Sequence, residues 1–190
     1  MTSPFAEILT DRLIMRRWRP SDTEPYAALN ADPEVMRYFP STLTRTETEG
    51  HIARIEARFE SHGAGLWALE VAETGQLIGF TGLAAMRDGV PGAGGTEVGW
   101  RLARSAWHQG YASEAARAAL RVGFTGLGLD EIWSITAVLN EPSQAVMRRI
   151  GMTEYGPFEH PVLPVGHELR PHVAYHLSRE AYEAAQGCGG

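Results

Sequence analysis

The residues from Trp107 to Ser113, Trp-His-Gln-Gly-Tyr-Ala-Ser, have the types and order of an anion site. Gly110 allows the main chain close to a phosphate, and Ala112 adds little bulk. Ser113 carries a hydroxyl that either caps a helix or contacts the anion. If a helix begins here, its first N–H groups have no partners within the helix, and the macrodipole adds partial positive charge to them. A diphosphate suits such a turn. The alternative is a glycine turn that binds nothing, with Ser113 a plain cap.

The flanking elements must hold that turn. Glu97 to Leu102 alternates imperfectly between polar and apolar residues and reads as a strand, followed by a polar loop from Ala103 to Gln109. From Ser113 onward Ala116, Ala119, Leu120, Gly123 and Phe124 line one face of a helix. Upstream, Ile8–Trp18 reads as the first strand, with Arg12, Arg16, Arg17 and Arg19 as solvated edges or ion-pair partners. Helices are expected from Pro20 to Asn30, from Asp32 to Phe39, and from Thr44, which has the capping-box spacing to Glu47, to Gly63. Leu66–Val71 and Gln76–Ala84 form a hairpin in which Gly79 and Gly82 mark close backbone approach. Met86–Gly95 reads as a flexible, disordered loop. Downstream come a buried strand (Glu131–Leu139), a short helix (Asn140–Ile150), strands at Thr153–Phe158 and His172–Leu177, and a small helix capped by Ser178. The tail from about residue 185 reads as loose.

Length and composition bound the function. A chain of 190 residues with 44% hydrophobic and 21% charged residues suits a single domain with an ordinary core. A net charge of -6 argues against a general nucleic-acid binder and is compatible with a cationic acceptor. Cys188 is the only cysteine, so neither a disulfide framework nor a cysteine metal cluster is expected. His160, His167, His172 and His176 match no zinc spacing, and no metal is expected. The opening MTSPFAEILTDR lacks the order of a secretory signal, and no apolar run approaches spanning length. These features suggest a cytoplasmic protein.

The segment HQGYASEA, after EVGWRL, resembles the acyl-CoA-binding motif of the GNAT N-acetyltransferase superfamily, Gln/Arg-x-x-Gly-x-Gly/Ala. Trp107 occupies the position usual for Gln or Arg, and an aromatic there is familiar in the RimJ/RimL-like branch. LTDRLIMRRWRPSD, GFTGL, NEPSQAVMRRIGM and HVAYHLSREAYEA resemble further elements of that branch in the same order. The implied fold is α/β (α+β): a mixed, mostly antiparallel sheet flanked by helices, with the fourth and fifth strands splayed apart around acetyl-CoA. In that superfamily the N-terminal helical region covers the acceptor site; Tyr38, Phe39 and His51 lie in it here and read as packing or surface residues.

The resemblance implies transfer of an acetyl group from acetyl-CoA to a primary amine by direct attack on the thioester. An alkylammonium of pKa about 10 has no lone pair at neutral pH, so a base is needed, and Glu97 is the candidate, acting directly or through water. The alternative is an ordinary strand-edge carboxylate. Backbone N–H groups of Trp100, Arg101 and Leu102 would hold the pantetheine and polarise the carbonyl. Trp107, His108, Gln109, Gly110, Tyr111, Ala112 and Ser113 would hold the diphosphate, Trp107 and Tyr111 mainly by packing. Asn140 would bond the pantetheine, and Ser143 would protonate the departing thiolate; both could instead cap the helix that contains Pro142. The acceptor could be a protein N-terminus or a small-molecule amine. Its specificity is expected in Ala31–Thr48 and Glu159–Arg170. An inactive acyl-CoA-binding sensor is the competing class, and a homodimer is suggested by the relatives.

Overall fold

The computed structural model describes residues 5–187. The N-terminal part contains β1 (Glu7–Leu9), β2 (Leu13–Arg16), α1 (Thr23–Ala31), α2 (Pro33–Met36) and α3 (Arg45–His62), then β3 (Leu66–Val71) and β4 (Leu77–Ala85). After these come β5 (Thr96–Leu102), α4 (Tyr111–Arg121), β6 (Glu131–Ala137), α5 (Glu141–Arg149), β7 (Thr153–Glu159), β8 (Pro171–Ser178) and α6 (Arg179–Gly187). The strands form one eight-stranded sheet in the order β1-β2-β3-β4-β5-β6-β8-β7. Antiparallel pairing joins β1–β2, β2–β3, β3–β4, β6–β8 and β7–β8, whereas β5 and β6 are parallel. The chain divides into two compact units, Met1–Leu83 with Gly99–Ala119 and Ala84–Val98 with Leu120–Gly190, and β4 and β5 run through both.

In the first unit the segment expected as one strand, Ile8–Trp18, is a hairpin with Glu7 opposite Arg16 and Leu9 opposite Ile14. Thr10 makes the turn. Its N–H donates to the Leu13 carbonyl at 2.9 Å and its hydroxyl accepts from the Leu13 N–H at 3.0 Å. The arginines are ion-pair partners. Arg16 donates to Asp22 at 2.7 and 2.9 Å and to Glu70 at 2.8 Å, with Arg16 and Asp22 only 4% and 3% exposed. Trp67, Tyr26, Phe59, Leu13 and Met15 fill the core around them. Asp32 caps α2 through the Glu34 N–H, but α2 stops at Met36, short of the expected Phe39. Thr44 and Glu47 form the expected capping box on α3, which ends at Gly63. Both strand glycines permit close approach: a Cβ would lie 2.1 Å from the Arg101 carbonyl oxygen at Gly79 and 2.1 Å from that of Gly65 at Gly82.

The second unit is built on β6, β8 and β7, with β8 in the middle. The loop Met86–Gly95 is anchored rather than disordered. Met86 and Val90 are 5% and 6% exposed in a cluster with Trp133 and Ala174, and Met86 N–H donates to Gly95. Two apolar side chains were enough to outweigh the glycines. Asn140 caps α5, and Pro142 sits in its first turn. Ser178 Oγ accepts from Ala181 at the start of α6, which stays helical through Gly187; the rest of the expected loose tail, 188–190 with Cys188, lies outside the described residues.

Candidate active site

The turn ahead of α4 has the geometry of an anion site. His108 and Gly110 take left-handed φ angles of 60° and 82°, bracketing Gln109. The Gly110 carbonyl accepts from the Glu114 N–H at 3.1 Å, so Gly110 stands at the helix terminus and the amides of Tyr111 and Ala112 lie in the first turn. Ser113 is in that turn rather than at the cap, and it is 3% exposed. A Cβ on Gly110 would meet only Arg12 Nη2, at 3.4 Å. Gly110 thus leaves room at the turn that a larger residue would take up, which suits a bound anion.

Arg12 holds the turn in place. Its Nε donates to Glu114 Oε2 at 2.8 Å, its Nη1 donates to the Gln109 carbonyl at 2.9 Å, and its guanidinium lies 4.6 Å from the Tyr111 ring centre. Glu114 also accepts from the Thr10 hydroxyl at 2.6 Å and the Arg12 N–H at 2.9 Å. Burial pushes the Glu114 carboxyl up, but these hydrogen bonds and the Arg12 charge outweigh it and hold the group below the usual carboxylate range. Trp107 is a packing residue here, with Nε1 donating to the Leu102 carbonyl at 2.9 Å. The Gln109 amide donates back to the Ser105 carbonyl at 2.6 Å. The sequence pattern placed Arg12 at a solvated strand edge or in an ion pair, without its link to the anion turn. The signal that could have placed it is the shared Thr-x-Arg opening of the motif LTDRL.

On β5, the Ala103 N–H donates to the Ile78 carbonyl at 2.8 Å. Amides alternate from edge to edge along a strand, so those of Trp100 and Leu102 face the edge away from β4. The Arg101 side chain runs among Tyr26, Asn30, Phe39, His51 and Phe80. Nη1 donates to Asn30 Oδ1 at 2.7 Å, and the guanidinium lies 4.2 and 5.4 Å from the Phe39 and Phe80 ring centres. Nε is buried without a hydrogen-bond partner, a condition that typically costs about 1–3 kcal/mol. Tyr26 OH and His51 Nδ1 are 2.7 Å apart. Burial and the neighbouring Arg101 and Arg54 push His51 down to about 4, so it is neutral at pH 7, while burial raises Tyr26 to about 12.

In the second unit β5 and β6 are bridged at Glu97↔Trp133, and among the described residues no further ladder pair joins them. The nearby Ser134 hydroxyl donates to the Val98 carbonyl at 2.9 Å. Burial pushes the Glu97 carboxyl up to about 7, partly countered by the Arg87 charge and a hydrogen bond from the Ile135 N–H. A carboxylate that titrates near neutrality can take a proton and release it again. One residue along β6, the Thr136 hydroxyl accepts from Asn140 Nδ2 at 2.9 Å. Asn140 Nδ2 also donates to Ser143 Oγ at 3.1 Å, and Asn140 Oδ1 accepts from the Ser143 N–H at 3.3 Å. Asn140 is thus the helix cap that its sequence position allowed. Ser143 Oγ is an acceptor in this bond, which leaves its own proton available to donate.

Residues 12–153 match the family model described as an acetyltransferase (GNAT) domain. The chain is 30% identical over 156 residues to the uncharacterized N-acetyltransferase YoaA of Bacillus subtilis (strain 168), covering 80% of this chain and 85% of that one. It is 33% identical over 167 residues to the FsC-acetyl coenzyme A-N(2)-transacetylase of Aspergillus fumigatus, covering 81% and 68% of the two chains. The crystal structure of a GNAT-family acetyltransferase from Bacillus anthracis superposes with a TM-score of 0.77 at 27% identity, over 92% of this chain and 99% of that one. The family match spans the anion turn, Glu97 and the capped helix at Asn140, and the chain belongs to the GNAT family of N-acetyltransferases.

Proposed function

We propose that the protein acetylates a primary amine, with Glu97 as the base and the α4 terminus as the diphosphate site. The observation that carries this reading is that, among the described residues, β5 and β6 share one ladder pair, at Glu97, whose carboxyl burial pushes up to about 7. When bound, acetyl-CoA supplies an acetyl group activated as a thioester. Gly110, Tyr111, Ala112 and Ser113, with His108 and Gln109 setting the turn, would hold its diphosphate through backbone N–H groups. Trp100 and Leu102 would offer N–H donors from the open edge of β5, the arrangement an oxyanion needs.

Glu97 takes the proton that the ammonium must lose, directly or through a water molecule. Ser143 passes a proton to the departing sulfur while its oxygen takes one from water, and Asn140 keeps that hydroxyl oriented while offering the pantetheine a polar edge. The opening and closing motifs favour the RimJ/RimL-like branch. We place the protein in the cytoplasm and leave the homodimer as a proposal for sedimentation to decide. Among the described residues no helix is long and apolar enough to cross a membrane.

The test is thiol release from acetyl-CoA with a panel of amines, run beside calorimetric titration of acetyl-CoA. Turnover with at least one amine supports the reading. Tight binding of acetyl-CoA with no turnover across a broad panel would make the protein an acyl-CoA sensor instead.

A further inference from the structure

Arg101 is a cation inside the first unit without a counter-charge. Among the described residues it makes no ion pair, and its hydrogen-bond partner is the neutral amide of Asn30. Asn30 cannot turn away, because it is fully buried and its Nδ2 donates to the buried Thr48 hydroxyl at 3.2 Å. The groups packed around the guanidinium are also uncharged: Phe39 and Phe80 beside it, and Tyr26 with His51 beyond. Arg54, which acts on His51 together with Arg101, is also positive, and it is exposed.

Other arginines of this unit are neutralised, Arg16 by Asp22 and Glu70, Arg17 by Glu56 and Glu60, and Arg12 by Glu114, while Arg58 donates to the Leu83 carbonyl. A buried charge is normally paired, so an exception needs a reason. The geometry supplies one. With Nη1 bonded to Asn30, the side-on edge formed by Nε and Nη2 remains, and Nε has no acceptor. Two parallel N–H groups on one guanidinium edge match the two oxygens of a carboxylate. Phe39, whose ring packs against the guanidinium, lies in the short loop between α2 and α3.

We propose that the acceptor amine also carries a carboxylate, which Arg101 receives on its Nε edge. This rests on the acetyltransferase reading and names the acceptor class for it. The carboxylate belongs either to a free amino acid or to an acidic residue next to a peptide N-terminus. The planar fork selects the carboxylate.

The experiment uses the full chain and matched acceptors: free amino acids against their amides, and peptides with Asp against Asn at the second position. Each pair is measured twice, by thiol release and by calorimetric titration into the protein saturated with acetyl-CoA. The expected result is a preference of about 30-fold or more for the acid in one of the two pair types, of the size a lost buried polar contact produces. Arg101→Gln should reduce that preference to about unity, with Arg101→Lys in between because it keeps charge but loses the fork. Acetyl-CoA affinity and the thermal midpoint of each variant report whether it has folded. Equal use of acids and amides by the parent, or an unchanged preference in a folded Arg101→Gln, overturns the proposal. If no amine turns over, the calorimetric arm still decides it: acid-selective binding lost in Arg101→Gln sustains the Arg101 site although the transferase reading fails, and no binding overturns it.

Discussion

Arg12 and Glu114, 102 positions apart in sequence, form a two-point contact in which Nε and Nη2 of the arginine lie 2.8 and 2.6 Å from one carboxylate oxygen, Oε2. The same arginine bonds the Gln109 carbonyl, so the β1–β2 turn sets the shape of the anion turn from outside it. Arg12→Ala should therefore weaken acetyl-CoA binding about fivefold, the equivalent of ~1 kcal/mol for a partly exposed pair. Calorimetry on the variant checks this, and the effect should shrink in high salt.

Gly110→Asp is the sharper variant of the same site. It introduces a side chain where φ is 82° and brings a negative charge to a place suited to phosphate. Acetyl-CoA binding should fall about 100-fold or more, the equivalent of ~3 kcal/mol for strain and repulsion together. A near-normal affinity would show that the diphosphate lies elsewhere.

Glu97 predicts a pH profile. Its folded pKa, about 7, is raised above the ordinary 4.5, so ionisation is disfavoured by the fold. As pH rises between those values the unfolded chain loses the proton while the folded chain keeps it, and the stability contributed by the neutral acid declines through this window. Activity runs the other way, since the base must be ionised: kcat/KM should rise along a limb centred near pH 7. Glu97→Gln should lose that limb, lower kcat about 10²-fold or more, and leave the protein at least as stable as the parent at pH 8. Urea unfolding and rate profiles on the same preparations measure both effects.

Ser143→Ala separates capping from acid chemistry. The cap is made by the Ser143 N–H to Asn140, which alanine retains, while the hydroxyl is removed. Unfolding free energy should drop by about 1 kcal/mol for the lost hydrogen bond. A fall in kcat of about 10²-fold with little change in acetyl-CoA affinity would place the hydroxyl in the reaction; a change under about threefold would leave it a partner of Asn140.

The buried pair Arg16–Asp22 makes a prediction about stability alone. Asp22→Ala leaves Arg16 enclosed with Glu70 as its remaining partner. Unfolding free energy should fall by about 3–5 kcal/mol. Urea titration at neutral pH would show this as a lower midpoint with the slope unchanged.

Much of this was readable from residue order. Local rules placed the capping box at Thr44 and Glu47, the cap at Asn140 and the turn at Gly110, because each depends on neighbours within a few positions. What was missed depended on distant partners. Thr10 breaks the first strand with its own hydroxyl and then reaches Glu114, which no local pattern reveals. The left-handed His108 followed from no propensity. The loop after β4 looked unstructured because its glycines outnumber the two apolar anchors, and Gly92 turns out to lie where a Cβ would meet the Trp133 ring at 2.5 Å. The Arg101 side chain was hidden behind the role of its own backbone.

The place of β8 between β6 and β7 affects how the protein must be made. Both neighbours leave the ribosome before the strand that joins them, residues 171–178. Until then a nascent chain carries two unsatisfied strand edges, the kind of surface that seeds aggregation. A chain cut between β7 and β8 would keep both of those edges open.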